Sequence, residues 1–184
     1  MKLNLSIKEM TQIGMCAALM AIFSQLSIPL PFTSVPVTLQ IFGLVVLAVI
    51  VGAKIGTLSI IVFVILGAIG LPVFANFSGG FGVIVGPTGG YIIGFIIMAF
   101  LIGYASSKGN KIFLFIAAYI GVTIDLIIGT LYLKVVTGMT MQGALIAGLY
   151  PFIIKDFITV ALAVFIGLKV KKSVEHILAR NVIA

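Results

Sequence analysis

The hydrophobic positions of this chain are gathered into long runs separated by short polar segments. Six runs stand out, at positions 11–28, 37–51, 55–71, 89–106, 111–136 and 148–168. A helix needs about 20 mostly apolar residues to cross the hydrocarbon part of a bilayer, so runs of this length predict transmembrane helices. We therefore expect an all-α integral membrane protein, a bundle of six transmembrane helices that forms a single membrane domain over residues 1–184.

The connections between the runs differ in character. Positions 52–54 and 106–111 are short, charged turns, whereas 29–36 holds three prolines and is predicted to be a loop, because proline lacks a backbone donor and forces the preceding residue into extended geometry. The segment 72–90 is uncharged and rich in glycine and aromatic residues. Irregular backbone at membrane depth is tolerated only where it packs in protein or lines a cavity. This segment, which we call the outer segment, is therefore predicted to fold over the bundle as a lid or pocket wall.

Composition and charge support the membrane assignment. The chain is 62% hydrophobic and 8% charged, with a mean hydropathy of +1.37, whereas soluble domains carry roughly 25% charged residues. Its net charge of +7 comes from Lys and Arg scattered over termini and loops. They form no basic face with interleaved aromatic residues, which argues against nucleic-acid binding.

The side on which these cations fall predicts the topology. In a six-helix arrangement, Lys134 and Lys155 lie on one side, and the other nine lie with the termini. Those nine are Lys2, Lys8, Lys54, Lys108, Lys111, Lys169, Lys171, Lys172 and Arg180. The positive-inside rule then predicts that both termini are cytoplasmic, in a multi-pass protein of the cell membrane.

Ionisable residues within the apolar runs are candidates for function, because each costs about 2.5 to 3.5 kcal/mol on insertion scales. Lys155 and Asp156 follow Pro151, a residue favoured in the first turn of a helix, which predicts that both lie near the outer end of helix 6. We expect Asp156 to bind a ligand; the alternative is that it pairs with Lys155 or caps backbone groups. Lys155 either meets the ligand or extends to the lipid headgroups.

Asp125 lies in the middle of its run, with Gly121 and Gly129 four residues away on the same helical face. This spacing predicts close packing of that face against another helix. For Asp125 itself, a structural carboxyl inside the bundle is favoured over a ligand contact.

Enzymatic chemistry has little support in the sequence. His176 lies in the polar tail, far from both intramembrane aspartates, so no acid and base pair is indicated. Cys16 stands alone within an apolar run, which excludes a disulfide and, with one histidine elsewhere, a zinc site. The chain also lacks a phosphate-binding loop, so any ATP hydrolysis belongs to another subunit.

Helix 1 carries two overlapping pairs of small residues with four-residue spacing, Gly14 with Ala18 and Ala17 with Ala21. Small residues at this spacing permit close approach of helices. The pattern fits packing within the bundle and equally fits a docking surface for a partner protein, since it falls in the cytoplasmic half of the helix.

Several segments together are similar to a known family. They are 31–40, 66–82, 86–91, and Pro151-Phe152 followed by Asp156. Over nearly its whole length, the chain resembles the BioY family, the biotin-binding S components of energy-coupling factor (ECF) vitamin transporters.

This resemblance implies a six-helix S-component fold, capture of biotin at the outer face, and docking through Ala17 and Ala21 to a membrane coupling protein that bears two ATPase subunits. The family has aspartate at the position of Asp156 and lysine three residues later. Here that later position is Thr159, and the lysine precedes the aspartate as Lys155. Asn76 matches a position expected to meet the ureido ring of biotin.

The residue types suit such a ligand, because biotin combines N–H donors, a carbonyl acceptor, an apolar fused ring and a carboxylate. Aromatic residues of the outer segment are expected to wall the ring. The candidate ligand contacts are Asp156, Asn76, Lys155, Tyr91, Gln40, Phe74, Phe77, Phe81 and Gly80. Biotin is expected as the transported ligand, with no cofactor and no metal. The alternatives are a stand-alone biotin carrier and an intramembrane scaffold without a ligand.

Overall fold

A computed structural model describes the backbone of residues 5–183 and the side chains of residues 5–177; Lys2 and Arg180, used in the topology prediction, lie outside the described side chains. The elements are α1 Ile7–Gln25, β1 Ser27–Leu30, β2 Thr33–Thr38, α2 Gln40–Ala68, a 3-10 turn Ala75–Phe77, α3 Phe81–Ile84, α4 Gly89–Ser107, α5 Lys111–Thr137, α6 Met141–Ala144, a π-helical turn Leu145–Leu149 and α7 Tyr150–Ile183. Four helical stretches are long and apolar enough to cross a membrane: Gln40–Ala68, Gly89–Ser107, Lys111–Thr137 and Met141–Ile177.

The long element α2 reverses direction at Gly52. This residue has φ 78° and ψ −178°, a left-handed conformation that glycine adopts without steric cost. A Cβ on Gly56 would lie 3.3 Å from the Cα of Ala48, although residues eight apart in a straight helix are separated by about 12 Å. The halves 40–51 and 53–68 are therefore antiparallel, and the described chain holds six helical segments of three turns or more. How many cross the bilayer, and on which side the termini lie, stay predictions.

Helices α2, α4 and α5 form the centre of the bundle, because α2 packs against α1, α4 and α7, and α4 also packs against α5. Small residues allow the closest contacts. A Cβ on Gly121 would press on Met98, and one on Gly129 would collide with the ring of Tyr91. The prediction of close packing on the glycine face that flanks Asp125 is confirmed.

The proline-rich connection 29–36 is an antiparallel hairpin and not the irregular loop that was expected. Ser27 pairs with Thr38, and Leu30 pairs with Thr33. Each strand of a two-stranded sheet has a free edge, where a proline costs no ladder hydrogen bond. The extended geometry that proline imposes on its neighbours is here used to build strands.

The last helical stretch begins earlier than predicted, since α6, the π-helical turn and α7 follow one another without a break from Met141. Pro151 lies just after the π-helical turn. A proline inside a helix has no N–H and clashes with the carbonyl four residues earlier, and a wider turn relieves that clash. As a result, Lys155 and Asp156 lie about four turns into this helical stretch and not in its first turns.

At the opposite end of the bundle from the hairpin, α1 is tied to the reversal in α2. The Nζ of Lys54 lies 2.6 Å from Oε1 of Glu9. This hydrogen bond, together with one from the backbone N–H of Ser6, lowers the pKa of Glu9 to about 2. The contact joins exposed side chains, so it orients the start of α1 more than it stabilises the fold.

The small residues of α1 divide between two surfaces. Ala17 is 2% exposed and belongs to the core, and Ala21 is partly buried beside it. Gly14 and Ala18 are exposed on the outer face of the helix. Docking through Ala17 and Ala21 stays a prediction, although the helical rotation turns Ala17 inward and leaves Gly14 and Ala18 as the outward pair.

Replacing Ala17 by leucine is expected to destabilise the protein by about 1–3 kcal/mol, the usual cost of overpacking a filled core. Thermal unfolding of the purified protein in detergent measures this. Ala18→Leu is the matched control and should unfold at the wild-type temperature, since the added methyl groups face outward. Equal behaviour of the two variants would contradict the assigned rotation of α1.

Candidate ligand-binding cavity

A cavity of about 270 Å³ lies at the hairpin end of the bundle, beneath the 72–90 segment. Its walls come from β2, the outer segment and helices α2, α4, α5 and α7. Its predominantly apolar wall with a few polar groups is typical of small-molecule sites, which measure roughly 300 Å³ or more. Of the predicted ligand residues, those that line it are Asp156, Asn76, Lys155, Tyr91, Gln40 and Phe74.

Lys155 and Asp156 form an ion pair at one wall. The Nζ of Lys155 lies 2.6 Å from Oδ1 of Asp156 and donates a hydrogen bond of 3.3 Å to the carbonyl of Thr38 in β2. Asp156 is 2% exposed, yet its Oδ1 has no well-aligned hydrogen bond among the described residues. The two residues pair, as the alternative interpretation expected, and the carboxylate keeps the capacity to accept further hydrogen bonds.

A second carboxylate reaches the same cavity. Asp125 is 1% exposed and lines the cavity from α5, where a Cβ on Gly94 of α4 would collide with its carboxylate. Its Oδ1 has no hydrogen-bond partner among the described residues. A buried polar atom without a partner calls for an explanation, and the structural role favoured for Asp125 stays a prediction.

Aromatic rings form the apolar wall. The hydroxyl of Tyr91 donates to the carbonyl of Gly148 at 2.7 Å, so its ring is the part left for a ligand. The ring centroid of Phe152 lies 6.4 Å from that of Tyr91, and the Nζ of Lys155 lies 5.6 Å from the Phe152 centroid. Phe152 was not among the predicted ligand residues. Its place in the Pro151-Phe152 segment that resembles the family is the signal that could have identified it.

The outer segment is fixed over the cavity by Gln25, at the end of α1. Its Nε2 donates to the carbonyls of Pro72 at 3.3 Å and Phe74 at 3.1 Å, and its Oε1 accepts from the N–H of Phe77 at 2.8 Å. Phe74 is 2% exposed and packs edge to face on Phe63, with 5.4 Å between centroids. Sequence reasoning missed Gln25, because a single amide at a helix end gives no periodic signal.

Asn76 lies at the rim of the cavity, where the outer segment meets the hairpin. It has φ 58°, a left-handed conformation that asparagine tolerates better than most residues. Its Oδ1 accepts a hydrogen bond of 2.8 Å from the hydroxyl of Ser27. The amide group is thereby oriented, and its NH₂ remains available as a donor.

The other candidates have different positions. Gln40 is 7% exposed and accepts from the hydroxyl of Thr38 at 3.0 Å. Phe77 and Phe81 are 72% and 67% exposed and do not line the cavity. The Phe77 ring points outward from a turn in which Asn76 and Phe77 both have positive φ. Gly80 also lies outside the lining; its N–H donates to the carbonyl of Gly67 at 2.7 Å, which indicates a structural role.

Comparison with known proteins adds a family assignment. The model of the BioY family matches residues 1–176. The chain belongs to the BioY family. Among curated relatives of this BioY-family chain, the protein named biotin transporter BioY from Thermotoga maritima is 39% identical over 166 residues, covering 90% of this chain and 96% of the relative. The protein named probable biotin transporter BioY from Pyrococcus horikoshii is 38% identical over 160 residues, covering 87% and 94% of the two chains.

A solved structure shares the fold. It is described as the S-component for biotin from an ECF-type ABC transporter, and it aligns with a TM-score of 0.82 and 32% sequence identity, covering 94% of this chain and 95% of the other. The BioY-family chain therefore has the S-component fold and is a multi-pass membrane protein.

Removing the Gln25 amide should loosen the outer segment. Each hydrogen bond contributes roughly 1 kcal/mol, so Gln25→Ala is expected to speed amide hydrogen exchange in residues 72–78 by more than about tenfold. Gln142→Ala, which changes an exposed glutamine in α6, is the control and should leave that segment at the wild-type rate. Unchanged amide exchange in the Gln25 variant would show that contacts other than those of Gln25 hold the outer segment in place.

Proposed function

We propose that this BioY-family chain is the substrate-binding subunit for biotin in an ECF-type importer. The observation that carries the proposal is the covered cavity that brings the Asp156 carboxylate and the Asn76 amide together within an apolar bundle. The relatives named as biotin transporters, which match almost the whole chain, support biotin as the ligand.

The polar groups of the cavity complement those of biotin. The ureido ring has two N–H donors, and the carboxylates of Asp156 and Asp125 are acceptors. Its carbonyl accepts, and the Asn76 amide donates. The apolar fused ring then lies against the rings of Tyr91 and Phe152. In this arrangement Asp125 receives the hydrogen-bond partner that it lacks within the protein.

Lys155 is assigned to the same end of the ligand as Asp156, because its Nζ lies 2.6 Å from the Asp156 carboxylate. The family pattern has its lysine at the position of Thr159, which is half-buried here and does not line the cavity. Lys155 does line it, and its side chain remains 28% exposed beside the hairpin. Lys155 therefore reaches the ligand beside Asp156 and takes over the role of the displaced lysine there.

Transport in this proposal uses energy from other subunits. The sequence has no phosphate-binding loop, and the exposed Gly14 and Ala18 of α1 provide a surface on which another helix can approach closely. The partner is a membrane coupling protein associated with two ATPase subunits. The chain itself forms and breaks no covalent bond.

Calorimetric titration of the purified protein with biotin tests the ligand. Losing a charged hydrogen-bond partner costs roughly 1.5–3 kcal/mol, so Asp156→Asn should weaken binding by about tenfold to a hundredfold. Asp125→Asn should weaken it to a similar extent. Glu175→Gln removes a carboxylate at the far end of the molecule and should bind as the wild type does.

The outcomes of this titration separate the alternatives. Absence of binding by folded wild-type protein would reject the capture function and favour an intramembrane scaffold. Biotin binding that is unchanged in Asp156→Asn would contradict the assigned site but would still support biotin as the ligand. Binding lost in Asp156→Asn and retained in Asp125→Asn would restrict the acceptor role to Asp156.

Uptake measurements test docking separately from binding. In cells that express the chain with its coupling module, Ala18→Leu should reduce biotin uptake several-fold and leave biotin affinity unchanged, because the added bulk separates the docking helices. Thr123→Leu alters an exposed position on α5 and is the control. Full uptake by Ala18→Leu, or uptake by the wild type without any coupling module, would contradict this docking surface.

A further inference from the structure

A second cavity, of about 630 Å³, lies at the end of the bundle opposite the biotin site. It is open on one side and is lined by the end of α4, the connection to α5, the first turns of α5 and residues 165–175 of α7. Its charged lining residues are Lys111, Lys169, Lys171, Lys172 and Glu175. Four lysines and one glutamate give the lining a formal charge of +3, so the cavity favours an anion.

Two of the four lysines make contacts with the protein that orient them without neutralising their charge. The Nζ of Lys171 donates to the carbonyl of Ser106 at 3.2 Å and to its hydroxyl at 2.9 Å. The Nζ of Lys169 lies 4.4 Å from the ring centroid of Phe165. Within the described side chains, none of the four lysines has a carboxylate at ion-pair distance. Four positive charges that line one cavity, unpaired among the described side chains, attract an anion.

Part of the cavity lining is apolar. It consists of Leu114 and Phe115 of α5 and Phe165 and Leu168 of α7. These four side chains form an apolar path between the two helices, next to the lysines at the helix ends. The cavity therefore combines a basic part with an apolar part.

We propose that this cavity binds one anionic phospholipid, with the headgroup phosphate at the lysines and the acyl chains along the apolar path. Basic pockets between transmembrane helices are suited to anionic headgroups. Lys111 begins α5, so the positive end of that helix dipole adds to the attraction. An acidic protein segment would satisfy the lysines but would leave the apolar path uncovered, which is why the lipid is favoured.

The site is separate from the main packing surface of α1, which contacts α2, the outer segment and β2. A lipid bound here joins the α4–α5 connection to α7. It does so without occupying either the biotin cavity or the Gly14 and Ala18 face.

Native mass spectrometry of the full chain released from nanodiscs tests the proposal. Nanodiscs of phosphatidylglycerol mixed equally with phosphatidylcholine provide the probe. The wild type should retain one phosphatidylglycerol in preference to phosphatidylcholine. A triple variant with Lys111, Lys169 and Lys172 changed to glutamine should lose this preference by more than about tenfold, since each lysine near an anionic lipid contributes roughly fivefold.

A matched triple variant, with Lys8, Lys54 and Lys134 changed to glutamine, removes the same charge outside the cavity and should retain the lipid. Biotin binding should be unchanged in both variants, which shows that each is folded. Equal lipid loss in the two variants, or no loss in the first, would overturn the site. Displacement of the lipid by millimolar glycerol phosphate would also overturn it, because an anion site alone would then suffice.

Discussion

The structure depends on how ionisable groups are accommodated inside an apolar bundle. Lys155, Asp156 and Asp125 share one small cavity, and a charge at membrane depth is costly unless it is paired or lines a polar space. The ion pair between Lys155 and Asp156 meets part of this requirement. The Oδ1 of Asp125 has no hydrogen-bond partner among the described residues and would gain one from a donor that enters the cavity. In the proposed function, buried acceptors of this kind favour a ligand with N–H groups.

The cover of the cavity follows from the same constraint. Backbone in a membrane must find its hydrogen bonds within the protein. The hairpin formed by β1 and β2 pairs its own strands, and Gln25 supplies three hydrogen bonds to the irregular segment that follows α2. The chain can therefore place non-helical backbone above the bundle, where Asn76 and Phe74 line the cavity.

Much of the helical bundle and of the covered cavity was predictable from the sequence. Hydrophobic runs determine helices, and an uncharged glycine-rich segment in a membrane protein must pack against the rest of the protein. Asp156 was identifiable as a rare charge in an apolar run. The position of Asp125 in the cavity depends on which face of α5 meets Gly94, and the outward rotation of Phe77 depends on two positive φ angles. The early start of the last helical stretch depends on a π-helical turn. Such features arise from tertiary packing, which a local sequence pattern does not contain.

The most direct test of the central claim is a structure of the purified protein determined with biotin. The account predicts that the ureido ring lies in the cavity beneath the outer segment, with its N–H groups within hydrogen-bond distance of Asp156 and Asp125 and its carbonyl toward Asn76. Biotin bound at another surface, or in this cavity with both carboxylates still unpartnered, would contradict the account.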